Sequence, residues 1–511
     1  MAISSSISLA DYKSPWRCLC RAFLQSRDHW KQQAKGYREE IQQLKQELHN
    51  ARLSAQTECR DDSRRNSQAH KAQANRDHVL PHWATMPGHQ FSAELISLCC
   101  QLSQLIGFRA VPKVLRCIRD AFGIALKIPS RDAVRNWSCR NGVAILQQSQ
   151  KADDWIWMID HSVQLGKMFV LVVLGIRQSQ LPVGRPLKRE DMTPLAVMPT
   201  KARDKVEVEH QLTELAERHG RPLAILSDGA RELHEGARCL KTRGFRGVHL
   251  DDIKHKISNL LKKKLGSAER FKGFLAKLGQ TTASIQQTEL EHLLPPRKKE
   301  KCRFMSFGPM IDWATMVEHQ LATRKSLNAK ASERLTEKLG WLEDFDDDLR
   351  CWRECRHLVG RVLEYANHQG VYDGSTNALQ DQLAECSAES KVAQSLREEM
   401  ISFYQSNEDQ LSKLAPAQIR LPCSTEVLES AFGSFKAMQG EHGRGTFTSL
   451  LAAFASLFDT CTPAKIRKRF TQVTNASLQQ WLQSSGLTDS TQSRRTLAYA
   501  QAKAAQSNEK V

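Results

Sequence analysis

Two short apolar runs that each close on an aspartate constrain this chain more than any other feature: WIWMID, ending at Asp160, and LAILSD, ending at Asp228. Runs this short, rich in Ile, Leu and Trp and bounded by polar residues, have the pattern of strands buried on both faces of a sheet. An Asp at the end of such a strand is held rigidly and emerges at the sheet's edge. Two such carboxylates on neighbouring strands concentrate negative charge where water is scarce, which is costly unless cations neutralise it. For either residue alone the other reading is a turn cap, because Asp so often begins turns.

The elements between and after the two acids follow a definite order. KMFVLVVLGI (Lys167 to Ile176) reads as a second strand, joined to the first by the turn around Gly166 as an antiparallel hairpin. LAVMPT (195–200) is a third strand. A helix then runs from about Asp204 to His219 with Val208, Leu212, Leu215 and Ala216 on one face, and Gly220 ends it. The next strand delivers Asp228, a helix through Arg231 to Leu240 stops near Gly244, VHLD (248–251) is a fifth strand, and a helix starts at Asp252. Three strands, then helices alternating with strands, is the order of the ribonuclease H-like fold, in which the first and fourth strands lie side by side. The expected fold class is therefore an α/β ribonuclease H-like mixed-sheet core, with Asp160 and Asp228 brought together.

With these residues in view, the chain resembles a DDE transposase of the insertion-sequence type from roughly residue 80 to residue 460. Asp160 and Asp228 match the first two acidic positions. Asp252-Ile-Lys-His255 resembles the Asp/Cys-x-x-His signature that follows the second acid in several cut-and-paste groups. Glu429, in STEVLESAFGSFK, matches the third acid, with Lys436 at the Glu-x6-Lys spacing of families in which that Lys contacts the transposon-end phosphate. The Tyr and Arg that precede Glu in one such family are not evident here. Glu426, one helical turn away on the same face, is the rival third acid. The resemblance implies that Asp160, Asp228 and Glu429 hold two Mg²⁺ ions roughly 3.5 to 4 Å apart, with Mn²⁺ able to substitute. It implies supporting roles for Asp252 and His255. It further implies strand cleavage and strand transfer on double-stranded DNA, both element ends and target, by a homodimer or higher assembly. Two other classes stay open, a ribonuclease H-like host nuclease and a transposase-derived DNA-binding protein that no longer cuts.

The distance from Asp228 to Glu429 is too long for a minimal core, so residues 270–420 are read as an all-helical insertion between a first part of the core (151–269) and a last part (421–475). Within it Leu335, Leu339, Leu342, Leu349, Trp352 and Leu358 recur at helix-like intervals. Trp313, Trp341 and Trp352 are either its core or platforms for an extruded base. Composition agrees with a polyanion partner: 74 Lys plus Arg against 56 Asp plus Glu give a formal charge of +18, clustered in 260–277, 297–303 and 465–469. No uninterrupted apolar stretch approaches the ~20 residues of a spanning helix. The start, MAISSSISLADYK, lacks the basic-then-apolar pattern of a signal peptide. A cytoplasmic, DNA-associated protein without a membrane partner is expected.

The 14 cysteines are scattered without a Cys-x2-Cys pair, which points to free thiols; Cys351, Cys355 and His357 come nearest to metal-ligand spacing. Residues 1–56 hold a short heptad seam of Trp30, Ala34, Tyr37, Ile41, Leu44 and Leu48, either a coiled coil or a lone amphipathic helix. Residues 57–79 are nearly devoid of apolar side chains and read as a linker. In 80–150, one helix is marked by Leu95, Leu98, Leu102 and Leu105, a second by Val114, Leu115, Ile118 and Phe122. A third starts at Pro129-Ser130 with Val134 and Trp137 facing inward, so the region reads as a helix-turn-helix domain with Arg131, Arg135 and Arg140 exposed to DNA. A helical bundle without DNA contacts is the alternative. Residues 476–511 read as a polar, frayed tail.

Overall fold

The computed structural model describes residues 84–148, 151–161, 168–242, 244–296, 306–324, 329–414, 419–440 and 450–488, with isolated residues and one short stretch elsewhere. The chain divides into two units, Met1–His82 and Trp83–Val511. In the first, the described residues Gln32, Gln33, Gly36, Gln43, Gln46 and Glu47 are helical. The heptad-seam residues, the linker and the basic block 297–303 lie outside the described residues.

The second unit begins with α1 (Ala93–Phe122) and α2 (Arg131–Gln147). Ser92 caps α1, its hydroxyl accepting from the Leu95 amide at 3.2 Å, and Ser130 caps α2 in the same way through Ala133. The two helices expected from 95–105 and 114–122 are halves of one element that breaks at Gly107, where φ is +72°. Only glycine adopts that conformation without strain. Leu105 and Phe122, both read as helix-face markers, are 78% and 75% exposed.

The sheet follows: β1 (Trp155–His161), β2 (Phe169–Arg177), β3 (Thr193–Thr200), α3 (Lys205–His219), β4 (Ala224–Ser227), α4 (Arg231–Thr242) and β5 (Val248–Asp251). Its strand order is β3-β2-β1-β4-β5, with β1 antiparallel to β2 and parallel to β4, and β4 parallel to β5. It is a mixed five-stranded sheet in which β1 and β4 are neighbours. After it come α5 (Ile253–Leu265), α6 (Glu269–Ile285), α7 (Phe307–Thr323), α8 (Ala329–Leu339), α9 (Asp346–Gln369), α10 (Ser375–Ala384) and α11 (Lys391–Leu411). The chain closes with α12 (Glu426–Gly440), a 3-10 stretch (Leu451–Phe458), α13 (Pro463–Gln472) and α14 (Asn475–Ser484).

Alternation along the strands sorts the side chains onto two faces. Trp155, Trp157, Ile159, Leu171 and Val173 pack with Leu212, Leu215, Leu233 and Ala237 of α3 and α4. Ile156, Met158, Val170, Val172 and Leu174 face the other way, into a core shared with α1, α2, α12, the 3-10 stretch and α13. The helices of 80–150 are thus one wall of the sheet's own core. The tail expectation is corrected: α14 has a Thr474 cap, and Leu478 and Leu482 are buried in that same core.

A third core is wholly helical and runs through α5 to α11. It contains Trp313 and Trp352, 6% and 3% exposed, with Trp341 packed against it. The Trp313 indole donates to the Leu293 carbonyl at 2.8 Å and Trp341 to the Thr281 hydroxyl at 2.9 Å. Of their two readings, base stacking gives way to core packing. Cys355 is buried on α9 while His357 is exposed, so those two sit on different faces of the helix and do not converge on a metal. Among the described residues one helix, α1, is long and apolar enough to cross a membrane; it is broken at Gly107, and Ile96, Phe108, Val111 and Leu115 are buried in the protein core.

Candidate active site at the sheet edge

The register of the parallel pair sets the site. Ile159 of β1 pairs with Ser227 of β4, so Asp160, still paired with Val172 of β2, and Asp228, the first residue past β4, are neighbours at the C-terminal ends of the two strands. By alternation both belong to the face of Ile156, Met158, Ala224 and Leu226, the face that α12 covers. Asp228 also begins its turn, its carboxylate accepting from the Ala230 amide at 2.9 Å. The capping and site readings of that residue are therefore compatible.

Asp160 carries the clearest electrostatic signature. Burial, then the Asp228 carboxylate and the Glu429 carboxylate push its pKa up to about 7, against a partial offset from His255. Three acids distant in sequence by up to 269 residues thus share one field, the first at Asp160 and the last at Glu429. His161, next along β1, is buried, and its pKa falls to about 4 because burial and then Arg203 disfavour the imidazolium.

Glu429 is held from α5. Lys254 Nζ donates to Glu429 Oε2 at 2.8 Å and reaches Glu426 Oε1 at 3.3 Å, while His255 Nε2 lies 3.7 Å from Glu429 Oε1. Burial alone would lower the His255 pKa, but Asp252, then Glu429 and Asp228, raise it above the ordinary histidine value. Lys254 shows the same balance: burial opposes its charge, and Glu429 and Glu426 more than restore it. Glu426 is more exposed and turns to Asn367, whose Nδ2 donates to it at 2.9 Å.

Asp252 is a positioning residue rather than a member of the acidic cluster. It caps α5 through the His255 amide at 2.7 Å, accepts from the His255 ring at 3.1 Å, and takes both the amide and the hydroxyl of Thr425. Although burial pushes its pKa up, the hydrogen bonds from His255 and Thr425 bring it below the usual carboxylate value. Sequence reasoning missed Lys254, which contacts both glutamates. Its signal was present, since it sits inside the Asp-Ile-Lys-His run, but the signature reserves a role only for the ends.

Among the basic residues expected at DNA, Arg131, Arg135 and Lys436 are exposed. Arg140 is not: it is 5% exposed, donates to the Val473 and Phe470 carbonyls, and stacks on the Phe470 ring at 4.1 Å. Its place in the DNA-binding set is therefore corrected to a clamp between α2 and α13. In the 465–469 block Arg469 is buried against Asp459 and Asn141, whereas Lys465, Arg467 and Lys468 are exposed, Arg467 being paired with Glu94. A cavity of about 430 Å³ opens beside Glu426, with Arg185, Lys188, Arg189, His368 and Arg420 in its wall.

No family model matches the chain, and no curated protein matches it. Among solved structures, the Drosophila P element transposase strand transfer complex is similar at 14% identity and a TM-score of 0.35, over 74% of this chain and 90% of that one.

Proposed function

We propose that the chain is a DDE-type transposase with a ribonuclease H-like core, a metal-dependent phosphoryl transferase that cuts and joins double-stranded DNA. The observation that carries this reading is the convergence of Asp160, Asp228 and Glu429 at the C-terminal ends of the neighbouring parallel strands β1 and β4. A desolvated carboxylate whose neighbours are also carboxylates is a group in need of a cation. The donor set is all oxygen, which suits Mg²⁺, and Mn²⁺ accepts the same ligands. Two such ions, when bound, supply an activated water oxygen and stabilise the departing oxygen.

The chain's own residues account for the rest. Lys254 and His255 hold Glu429 toward Asp160, and Asp252 fixes both through the α5 cap and Thr425. Hydrolysis at the element end breaks one P–O bond and leaves a 3′ hydroxyl. That hydroxyl attacks a target phosphate, forming one P–O bond as another breaks. Arg131, Arg135, Lys436 and the basic wall of the cavity beside Glu426 are the DNA contacts in this reading. Assembly as a homodimer or higher oligomer on DNA belongs to it as well, as does a cytoplasmic, DNA-associated location.

The test is incubation of the purified chain with DNA bearing its own element ends, with Mg²⁺ or Mn²⁺ and with EDTA. Metal-dependent nicking at the ends followed by joining to a target supports the proposal. Cleavage without joining points instead to a nuclease, and end-binding without cleavage to a transposase-derived binding protein.

A further inference from the structure

The three acids stand on one face of the sheet; a different set of ligand-type side chains stands on the other. We propose that His234, His249 and Asp251 form a transition-metal site of the zinc class, separate from the acidic edge and independent of the transposase reading. Their ligand atoms all lie within 4.8 Å of one another, and among the described residues this is the group of three with that compactness.

The fold makes the placement. Val248 and Leu250 of β5 point into the core shared with α12, so His249 and Asp251 alternate to the opposite face. That face is covered by α4, which packs there through Leu233, Ala237 and Leu240 and brings His234 in beside them. The two imidazoles meet edge to face, with centroids 4.7 Å apart and planes at 84°.

Two details favour an ion over a simple polar cluster. The His249 Nε2 lies 3.0 Å from the buried Ser227 hydroxyl, which orients the ring so that Nδ1 faces Asp251 Oδ1 at 4.0 Å. A ligating histidine is usually fixed in this way, one nitrogen anchored by a hydrogen bond and the other turned to the metal. The Asp251 Oδ1 atom is itself buried without a hydrogen-bond partner among the described residues. An orphaned carboxylate oxygen beside two imidazoles lacks what a cation would provide. Two nitrogens and one oxygen select a zinc-like ion over Mg²⁺, and three protein ligands leave a fourth position for water. In a tetrahedral site with metal–nitrogen bonds of about 2.0 Å, ligand atoms stand about 3.3 Å apart, a closure that small side-chain rotations supply. Bound there, the ion ties α4, which follows directly on the turn that carries Asp228, to β5.

The full chain, stripped with a chelator and dialysed, is titrated with Co²⁺ while visible ligand-field absorption is followed. One equivalent should produce the intense spectrum of a four-coordinate nitrogen–oxygen site. One equivalent of Zn²⁺ should abolish it, and excess Mg²⁺ should leave it unchanged. His249→Gln and His234→Gln should each lose the spectrum, and Ser227→Ala should weaken Co²⁺ binding about 10- to 100-fold. Asp160→Asn and Glu429→Gln should retain it, and circular dichroism on every variant reports whether it is folded. A parent protein without the four-coordinate spectrum overturns the proposal, as does a spectrum that survives in folded His249→Gln and His234→Gln. Loss of the spectrum in folded Asp160→Asn would move the metal to the acidic edge and overturn it too. The two proposals fail separately, because strand cleavage reads the acids and the cobalt spectrum reads the histidines.

Discussion

Replacing Asp160 with Asn should stabilise the metal-free protein, and by an amount that grows with pH. In the folded chain burial and the Asp228 and Glu429 carboxylates raise the Asp160 pKa to about 7 from an ordinary 3.8. The folded state therefore binds this proton more tightly than the unfolded state. The group's stabilising contribution is complete below the unfolded pKa and is lost as pH rises through the folded one, at about 1.4 kcal/mol per pH unit. The whole loss is about 4 kcal/mol, of which about 2 kcal/mol falls between about pH 5.5 and the folded pKa. Asn does not titrate, so the advantage of Asp160→Asn over the parent should widen by about 2 kcal/mol between about pH 5.5 and about pH 8. Any fixed change in hydrogen bonding on substitution cancels in that difference. The assay is urea unfolding of both proteins in EDTA at the two pH values. Mg²⁺ should shrink the gap at the higher pH by stabilising the parent alone. A gap that stays constant, or narrows as pH rises, refutes the claim that these acids share a desolvated field.

Lys254→Met should cut strand cleavage at least about tenfold while end-binding persists, because it frees Glu429 without removing a DNA contact; equal losses in gel-shift binding and in cleavage would contradict that. Arg140→Ala should lower the unfolding free energy by about 2 to 4 kcal/mol through lost carbonyl hydrogen bonds and ring stacking, read by denaturant titration. Arg135→Ala, on the exposed face of the same helix, should leave stability within about 0.5 kcal/mol and reduce the salt slope of DNA binding by about 1. In cleavage assays Glu429→Gln should be inactive with Mg²⁺ and with Mn²⁺, and a fully active Glu429→Gln beside an inactive Glu426→Gln would transfer the third position to Glu426.

The sheet was legible because each strand states its own burial. WIWMID and LAILSD are apolar on both faces, and 155–159 and 224–227 are buried from both sides as that pattern requires. The helix starting at Asp252 was legible from its cap. What escaped was mostly a matter of direction. Arg140 and Arg135 are the same residue type five positions apart on one helix, and only the position of α13 decides which of them is buried. The two helical segments on either side of Gly107 were legible, and the structure joins them at a kink there. The tail was misread because Leu478 and Leu482 are too few to mark a helix by periodicity, although four residues apart they make one buried stripe. Asp160 and Asp228 were readable near the ends of their strands, whereas Lys254 becomes visible only once α12 lies against α5.

That last contact explains how a helical excursion of well over a hundred residues can separate Asp228 and Glu429 without loosening their geometry. The chain leaves the sheet at Asp252 and returns at Cys423 to Thr425, and the two points are stitched together. The Ile253 amide donates to the Cys423 carbonyl at 2.9 Å, and Asp252 receives the Thr425 amide and hydroxyl. A second tie lies just upstream, where Val371 and Leu421 exchange backbone hydrogen bonds at 2.7 and 2.9 Å. Loop-closure entropy grows only slowly with length, so a long excursion between touching ends costs little more than a short one. This one also supplies its own helical core. The buried Asp252 carboxylate belongs to the stitch, and because His255 rises from the same cap toward Glu429, the residue that closes the excursion also aims the third acid.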